Sequence, residues 1–304
     1  MDKTQVSLTA IMTAYLRSYH SRYDNPKIFD DFLAYSVIPE ENRNLIEQGF
    51  LNSVQLNDPE FAATSPDLVS ALERAMPGFS GLCHTLSRSR YTEDSLETAI
   101  KQGVKQYVIL GAGLDTFVFR RPDLCSSLQV FEIDHPAMQA FKQERLEELG
   151  WVVPENLHFI PMDFTRDSLP EELLKSPYDS ELKSFFSWLG VSMYLTREEI
   201  LKTLKTICEV APPGSTLVFD YLDEAAFNPE KAAPRIQRAM FMAKYAGEPM
   251  QTGFDPENLA VELSGVGLHL VGNLRPADAQ KMYFKESRYL ACEHHYCAQA
   301  EVIK

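Results

Sequence analysis

Long apolar runs are missing from this 304-residue chain. No window approaches the ~18 consecutive apolar residues of a membrane-spanning helix, so a helical membrane protein is excluded. Cysteine is sparse and odd in number. Cys83, Cys125, Cys208, Cys292 and Cys297 are widely scattered, which argues against a disulfide framework and for reduced thiols in a cytoplasmic protein. Positive charge is short as well, with 29 Lys+Arg against 43 Asp+Glu and a formal charge of −14. Such a chain suits neither a nucleic-acid backbone, which needs basic stripes to release counterions, nor an anionic membrane surface. The first residues, MDKTQVSLTAIMTAYLRSYHSRYD, hold no uninterrupted apolar stretch and no small-residue cleavage site, so no secretory signal is expected. There is no long Gly/Ser linker and no internal repeat. What is present is 45% hydrophobic residues, enough for a large core.

Two regions differ in pattern. Residues 1–104 read as a helical cap. Leu8, Ile11, Met12, Tyr15, Leu16 and Tyr19 trace one apolar helix face, and further helices are expected over about 27–38, 58–76 and 92–102. From residue 105 to 304, short apolar runs alternate with amphipathic stretches. The runs Tyr107–Leu110, Leu128–Ile133, Leu157–Ile160, Phe185–Val191 and Thr216–Tyr221 have the length and composition of buried strands. Between them, Met138, Phe141, Leu146 and Leu149 share a helix face, as do Ile200, Leu201, Leu204, Ile207 and Cys208. Thr196 and Glu199 are spaced as a capping box. This alternation predicts an α/β fold with a parallel sheet covered on both sides. Residues 223–262, rich in Ala and Pro, read as a helical insertion over the carboxyl edge of the sheet. Ser287–Val302 reads as a last, antiparallel strand at or near an edge.

Open α/β sheets bind ligands beyond the carboxyl ends of their strands, and three such ends carry suggestive residues. The first is followed by Gly111-Ala112-Gly113-Leu114-Asp115-Thr116, a turn that lets backbone approach a ligand. The second ends in Asp134, 21 residues beyond Gly113, where a carboxylate can accept from two ribose hydroxyls. It can equally favour the dipole of a helix opened by Pro136. The third ends in Asp163-Phe164, an acid for an adenine amino group and a ring to lie against the base, or simply a turn cap. A nicotinamide dinucleotide would need a third small residue beside its pyrophosphate. Thr116 occupies that place, with Asp115 adding negative charge. S-adenosylmethionine has no phosphate and carries a sulfonium cation, so a mononucleoside cofactor of that kind fits better than NAD.

The runs QYVILGAGLDTFVFR, VFEIDHPAMQAFK and FFSWLGVSMYLT resemble the leucine carboxyl methyltransferase superfamily, in particular its bacterial and fungal branch of S-adenosylmethionine-dependent O-methyltransferases, which includes polyketide carboxyl methyltransferases. TAYLRSYH, IFDDFLA and SRSRYTEDSLETAI extend the likeness over most of the chain. The resemblance implies a Rossmann-like methyltransferase sheet of about seven strands with a helical N-terminal lid and a helical insertion that shapes the acceptor pocket. It implies that Gly111, Ala112 and Gly113 lie against the methionine part of the cofactor, that Asp134 holds the ribose, and that Asp163 and Phe164 hold the adenine. Arg88 matches the Arg that pairs with the methionine carboxylate, with Arg90 as the alternative. Members that act on protein often carry Glu before the Gly or Cys ending the fourth strand. Leu189 stands there, which points away from a protein C-terminal carboxyl substrate and towards a small-molecule acceptor.

Methyl transfer from a sulfonium is an in-line displacement that depends on alignment in a dry pocket. A carboxylate acceptor needs no base, whereas a hydroxyl usually does. No His stands out for that task, and His135 is expected to have a surface or capping role. Tyr194, just past the fourth strand, is placed to contact the acceptor. In the run Cys292-Glu293-His294-His295-Tyr296-Cys297, extended geometry sends Cys292 and His294 one way and His295 and Cys297 the other, so no metal is expected. The sequence supports a small-molecule O-methyltransferase first, with a non-catalytic scaffold retaining the fold and a nicotinamide dehydrogenase as alternatives.

Overall fold

A computed structural model describes residues 6–65 and 67–303. Seven strands, β1 (Gln106–Leu110), β2 (Gln129–Asp134), β3 (Leu157–Pro161), β4 (Ser184–Trp188), β5 (Thr216–Leu222), β6 (Leu268–Leu274) and β7 (His295–Val302), form one sheet in the order β3-β2-β1-β4-β5-β7-β6. The first five run parallel, and β7 is antiparallel to both β5 and β6. β1, β4 and β5 are buried along their whole length, as expected of central strands covered on both faces.

Seven helices matter here: α1 (Leu8–Tyr23), α2 (Glu40–Asn57), α3 (Ser80–Lys101), α4 (Pro136–Glu148), α5 (Arg197–Val210), α6 (Pro234–Tyr245) and α7 (Leu259–Val266). Ile200, Leu204 and Ile207 of α5, with Leu259 and Leu263 of α7, pack on one face of the sheet. On the other face, Leu96 and Ala99 from the second half of α3 meet Tyr107, Val130 and Phe185. The first half of α3 joins α1 and α2 in a separate core containing Tyr15, Tyr19, Phe50 and Leu86, which reaches Leu114 just beyond β1. The capping box holds: Glu199 N–H donates to Thr196 Oγ1 while Thr196 N–H donates to the Glu199 carboxylate.

The helical cap departs from expectation in detail. Of the 27–38 stretch only Ala34–Val37 is helical. Ile28 N–H donates to His20 Nε2, and the Asp31 carboxylate is held by Arg17 and Thr116, so side chains take up groups a helical ladder would use. The 58–76 stretch is two helices, Pro59–Thr64 and Leu68–Ala75, each begun by its own aspartate cap, Asp58 and Asp67. The 92–102 segment is the end of the 22-residue α3. Helix α2 and strand β6 were not anticipated: only Phe50 and Val54 of α2 are buried, and β6 is an edge strand with most of its residues outside the core. The last strand begins at His295 rather than Ser287; it is antiparallel and near an edge as expected, lying between β5 and the edge strand β6. The fourth strand ends at Trp188, because Gly190 turns the chain at a φ of 70°. Among the described residues, no helix is long and apolar enough to cross a membrane.

Candidate functional site

Strand register brings the carboxyl ends of these strands side by side. Leu110 at the end of β1 pairs with Ile133 of β2 and Trp188 of β4, so the glycine turn, Asp134 and the Leu189-Gly190 turn open into one space. That is the point where the chain passes to β2 on one side of β1 and to β4 on the other, the position favoured for ligands in such sheets. A cavity of about 1350 Å³ lies there, walled by the strand ends, α1, α2, α3 and α6. It exceeds the roughly 300–1,000 Å³ of a usual small-molecule pocket, so two ligands can share it.

The glycine turn is required by its surroundings. Gly111 has φ 75°, and a Cβ there would stand 2.4 Å from Val191 Cγ2. Asp134 locks the turn from β2: its Oδ2 accepts from Gly113 N–H at 2.5 Å and its Oδ1 from His135 N–H at 2.6 Å. Each oxygen keeps a second lone pair for a ligand hydroxyl. Burial pushes the Asp134 carboxyl above its ordinary value, with those two N–H groups working in the other direction. His135 caps α4 through Nδ1, which accepts from Ala137 N–H at 3.3 Å. Ala112 is buried beside the turn and lines the cavity.

Asp163 and Phe164 also line the cavity. Asp163 Oδ1 accepts from both the N–H and the hydroxyl of Thr165. Burial raises this carboxyl, but the Thr165 bonds outweigh it and leave it below its ordinary value. Oδ2 lies 3.7 Å from Arg166 Nε and remains open to a further donor. Capping the turn and binding a ligand are thus compatible roles for one side chain.

Arg88 and Arg90 separate clearly. Arg90 is paired with Asp94 on the outer side of α3. Arg88, in the middle of α3, is buried and lines the cavity, and its guanidinium lies so close to Gly190 that a Cβ there would sit 2.7 Å from it. Its Nη1 donates to Asp220 Oδ2 at 2.9 Å. The same oxygen meets His84 Nε2 at 2.9 Å and His295 Nε2 at 3.0 Å, while Oδ1 accepts from Gly190 N–H at 2.6 Å. Asp220 is fully enclosed, and the Arg88 charge and the two histidines overcome the cost of burial and hold its carboxyl well below the ordinary range. Burial, with His295 and Arg88 adding to it, drives His84 down to about 3, and burial lowers His295 as well. Both imidazoles are therefore neutral near pH 7. The ligating atoms of His84, Asp220 and His295 lie within 4.8 Å of one another, a spacing a metal could use. Arg88 Nη1, 3.2 Å from His84 Nε2, already fills the approach to the shared oxygen.

This hub was missed at the level of sequence. The available signal was a single acid inside TLVFDYL, a strand that is otherwise apolar, because a charge buried in a sheet needs partners. Glu132 inside VFEID is a second example. It is fully buried against Lys142 at 2.5 Å, and burial pushes its carboxyl up to about 7.

The cap is tied to the glycine turn through charge. Arg17 of α1 bonds both Asp31 and the carbonyl oxygen of Leu114, and Asp31 Oδ1 accepts from the Thr116 hydroxyl. Arg120 pairs with Glu93 of α3. Tyr194 lines the cavity beyond β4, and burial pushes its hydroxyl up to about 12. Leu189 lines the cavity without a polar group to offer.

Comparison with known proteins adds the family. Residues 10–208 match the family described as leucine carboxyl methyltransferase. A protein of Bacillus subtilis (strain 168), named as a candidate S-adenosyl-L-methionine-dependent methyltransferase (YktD), is 38% identical over 95% of this chain and 94% of its own. A similarly named protein of Mycolicibacterium smegmatis is 28% identical over 71% of this chain and 67% of its own. Among solved structures, a duf574 family protein from Streptomyces avermitilis shares the fold, with a TM-score of 0.56 at 14% identity, covering 95% of this chain and 97% of that one. The chain belongs to the leucine carboxyl methyltransferase family.

Proposed function

We propose that this protein is an S-adenosyl-L-methionine-dependent O-methyltransferase acting on a carboxylate or hydroxyl of a small molecule. The observation that carries the reading is the pairing of Asp134 with the Gly111–Gly113 turn: a carboxylate with two spare lone pairs beside a backbone that admits no side chain. In this reading Gly111, Ala112 and Gly113 flank the methionine portion, Asp134 takes the ribose hydroxyls, and Asp163 with Phe164 takes the adenine. Arg88, held by Asp220, turns its remaining guanidinium donors to the methionine carboxylate. Tyr194, un-ionised near pH 7, touches the acceptor. Residues 1–104 act as the cap and 223–262 as the insertion that closes the acceptor side of the 105–304 domain.

When bound, S-adenosylmethionine supplies a methyl group on a sulfonium that departs as a neutral thioether. The protein's share is to hold the acceptor in line and exclude water; α1, α2 and α6 provide those walls. Incubation with methyl-labelled S-adenosylmethionine and a panel of small carboxylic acids and phenols tests the proposal. Label is expected in an ester or ether product. Label appearing only in peptides ending in a free carboxylate would favour the protein-substrate reading instead.

A further inference from the structure

The acceptor half of the cavity is walled by Ile46, Phe50 and Val54 of α2 and by Ile236, Ala239 and Met242 of α6. Glu248 enters this apolar wall. Among the described residues, neither oxygen of its carboxylate has a hydrogen-bond donor or an ion-pair partner. Oε2 is sealed from solvent, and the half-buried Glu248 lines the cavity. A carboxylate with no partner in such a place is costly.

The backbone around Glu248 is fixed from both sides. Gly247, at φ 81°, closes α6: its N–H donates to Lys244 O, and Glu248 N–H reaches back to Ala243 O at 2.9 Å. That is a Schellman cap, whose last position normally carries an apolar residue packed on the helix; here it carries a charge. Downstream, Gln251 N–H donates to Met193 O, the Gln251 amide to Tyr194 O, and the Thr252 hydroxyl to Leu195 O. Glu248 is thereby held beside the segment after β4, close enough to Tyr194 that its charge helps raise that hydroxyl's pKa. A local rule broken at a rigid position marks a site built for a ligand rather than for stability.

The other charges lining the cavity do not offset it. Arg17, Arg74, Arg88, Arg120 and Arg166 are each paired with a carboxylate. Arg238 lines the cavity from α6, where its side chain is exposed to solvent.

We infer that Glu248 selects the acceptor: the molecule presents a hydrogen-bond donor, a hydroxyl or an ammonium on an apolar body, to Glu248, and an anionic carboxylate in that place is rejected. This rests on the methyltransferase reading above and narrows it towards the hydroxyl side. Calorimetry of the S-adenosylhomocysteine-loaded protein with 2-naphthol, 2-(aminomethyl)naphthalene and 2-naphthoate compares three groups on one apolar skeleton. The hydroxyl and ammonium probes are expected to bind at least tenfold more tightly than the carboxylate, and which of the two is tighter identifies the donor. In Glu248→Gln the preference should fall to within about threefold, with S-adenosylhomocysteine affinity unchanged and the melting temperature not lowered, since an unpaired charge is removed. Glu248→Asp should retain part of it, and Arg238→Gln all of it. Tightest binding of 2-naphthoate, an unchanged ratio in Glu248→Gln, or no binding of any probe at millimolar concentration overturns the inference. Failure of S-adenosylhomocysteine to bind the wild type would instead overturn the methyltransferase reading.

Discussion

Asp220 offers the sharpest test of how the site is held together. Its side chain is fully buried and the Arg88 side chain is 9% exposed, so Asp220→Ala leaves a guanidinium enclosed without its counter-charge. Breaking a buried pair from one side costs about 3–5 kcal/mol. The donors on His84, His295 and Gly190 lose their acceptor in the same step, so the loss should lie in the upper part of that range. Replacing both partners, in Arg88→Leu with Asp220→Ala, removes the stranded charge. The double variant should be more stable than the sum of the single losses predicts, with a coupling of about 1–3 kcal/mol. Urea unfolding followed by circular dichroism reads this directly, provided the slope with denaturant is constant across the set. If Asp220→Ala costs less than about 1 kcal/mol, or the two losses simply add, Arg88 is not held as described.

Two further perturbations follow from the same geometry. Asp134→Ala removes two charge-assisted acceptors for the ribose, each worth about 1.5–3 kcal/mol, and unlocks Gly113. S-adenosylhomocysteine affinity should fall at least about 100-fold by calorimetry, and an unchanged dissociation constant would show that the ribose lies elsewhere. Acid should destabilise the fold in two stages. Unfolded histidine binds its proton near 6.5 whereas folded His84 refuses it until about 3, and His295 is lowered in the same direction. Stability is therefore full above pH 6.5 and falls as the medium is acidified towards pH 3, with His84 alone contributing a slope of about 1.4 kcal/mol per pH unit. Asp220, whose folded carboxyl sits well below 3.8, adds a further loss below about pH 4. Urea midpoints measured from pH 7 to 4 should decline, and His84→Gln should flatten the upper part of that decline.

What the sequence disclosed were the features carried by neighbours in the chain. The glycine turn and Asp134 sit at the ends of two adjacent strands that each announce themselves by composition, and the capping box at Thr196 is complete within four residues. What it concealed were encounters between distant segments. His84 and His295 meet on Asp220 across 136 and 75 positions, and nothing in the neighbourhood of His84 within α3 marks it as different from a surface histidine. Glu248 reads as an ordinary loop acid until Gly247 turns it back onto the cavity wall. Arg88 stands out from its motif, but its restraint by Asp220 does not. Helix α2 escaped notice because it buries too little to show an apolar stripe, and edge strand β6 because its alternation is interrupted at Gly272, where the register with β7 shifts.

The central claim, that the space beyond β1, β2 and β4 is a mononucleoside site for a sulfonium cofactor, is tested most directly by titrating the wild-type protein with S-adenosylmethionine, S-adenosylhomocysteine and NAD. The account predicts one equivalent of either sulfur ligand, and no heat with NAD, because Thr116 and Asp115 occupy the place a pyrophosphate needs. Saturable binding of NAD with none of S-adenosylhomocysteine would contradict it.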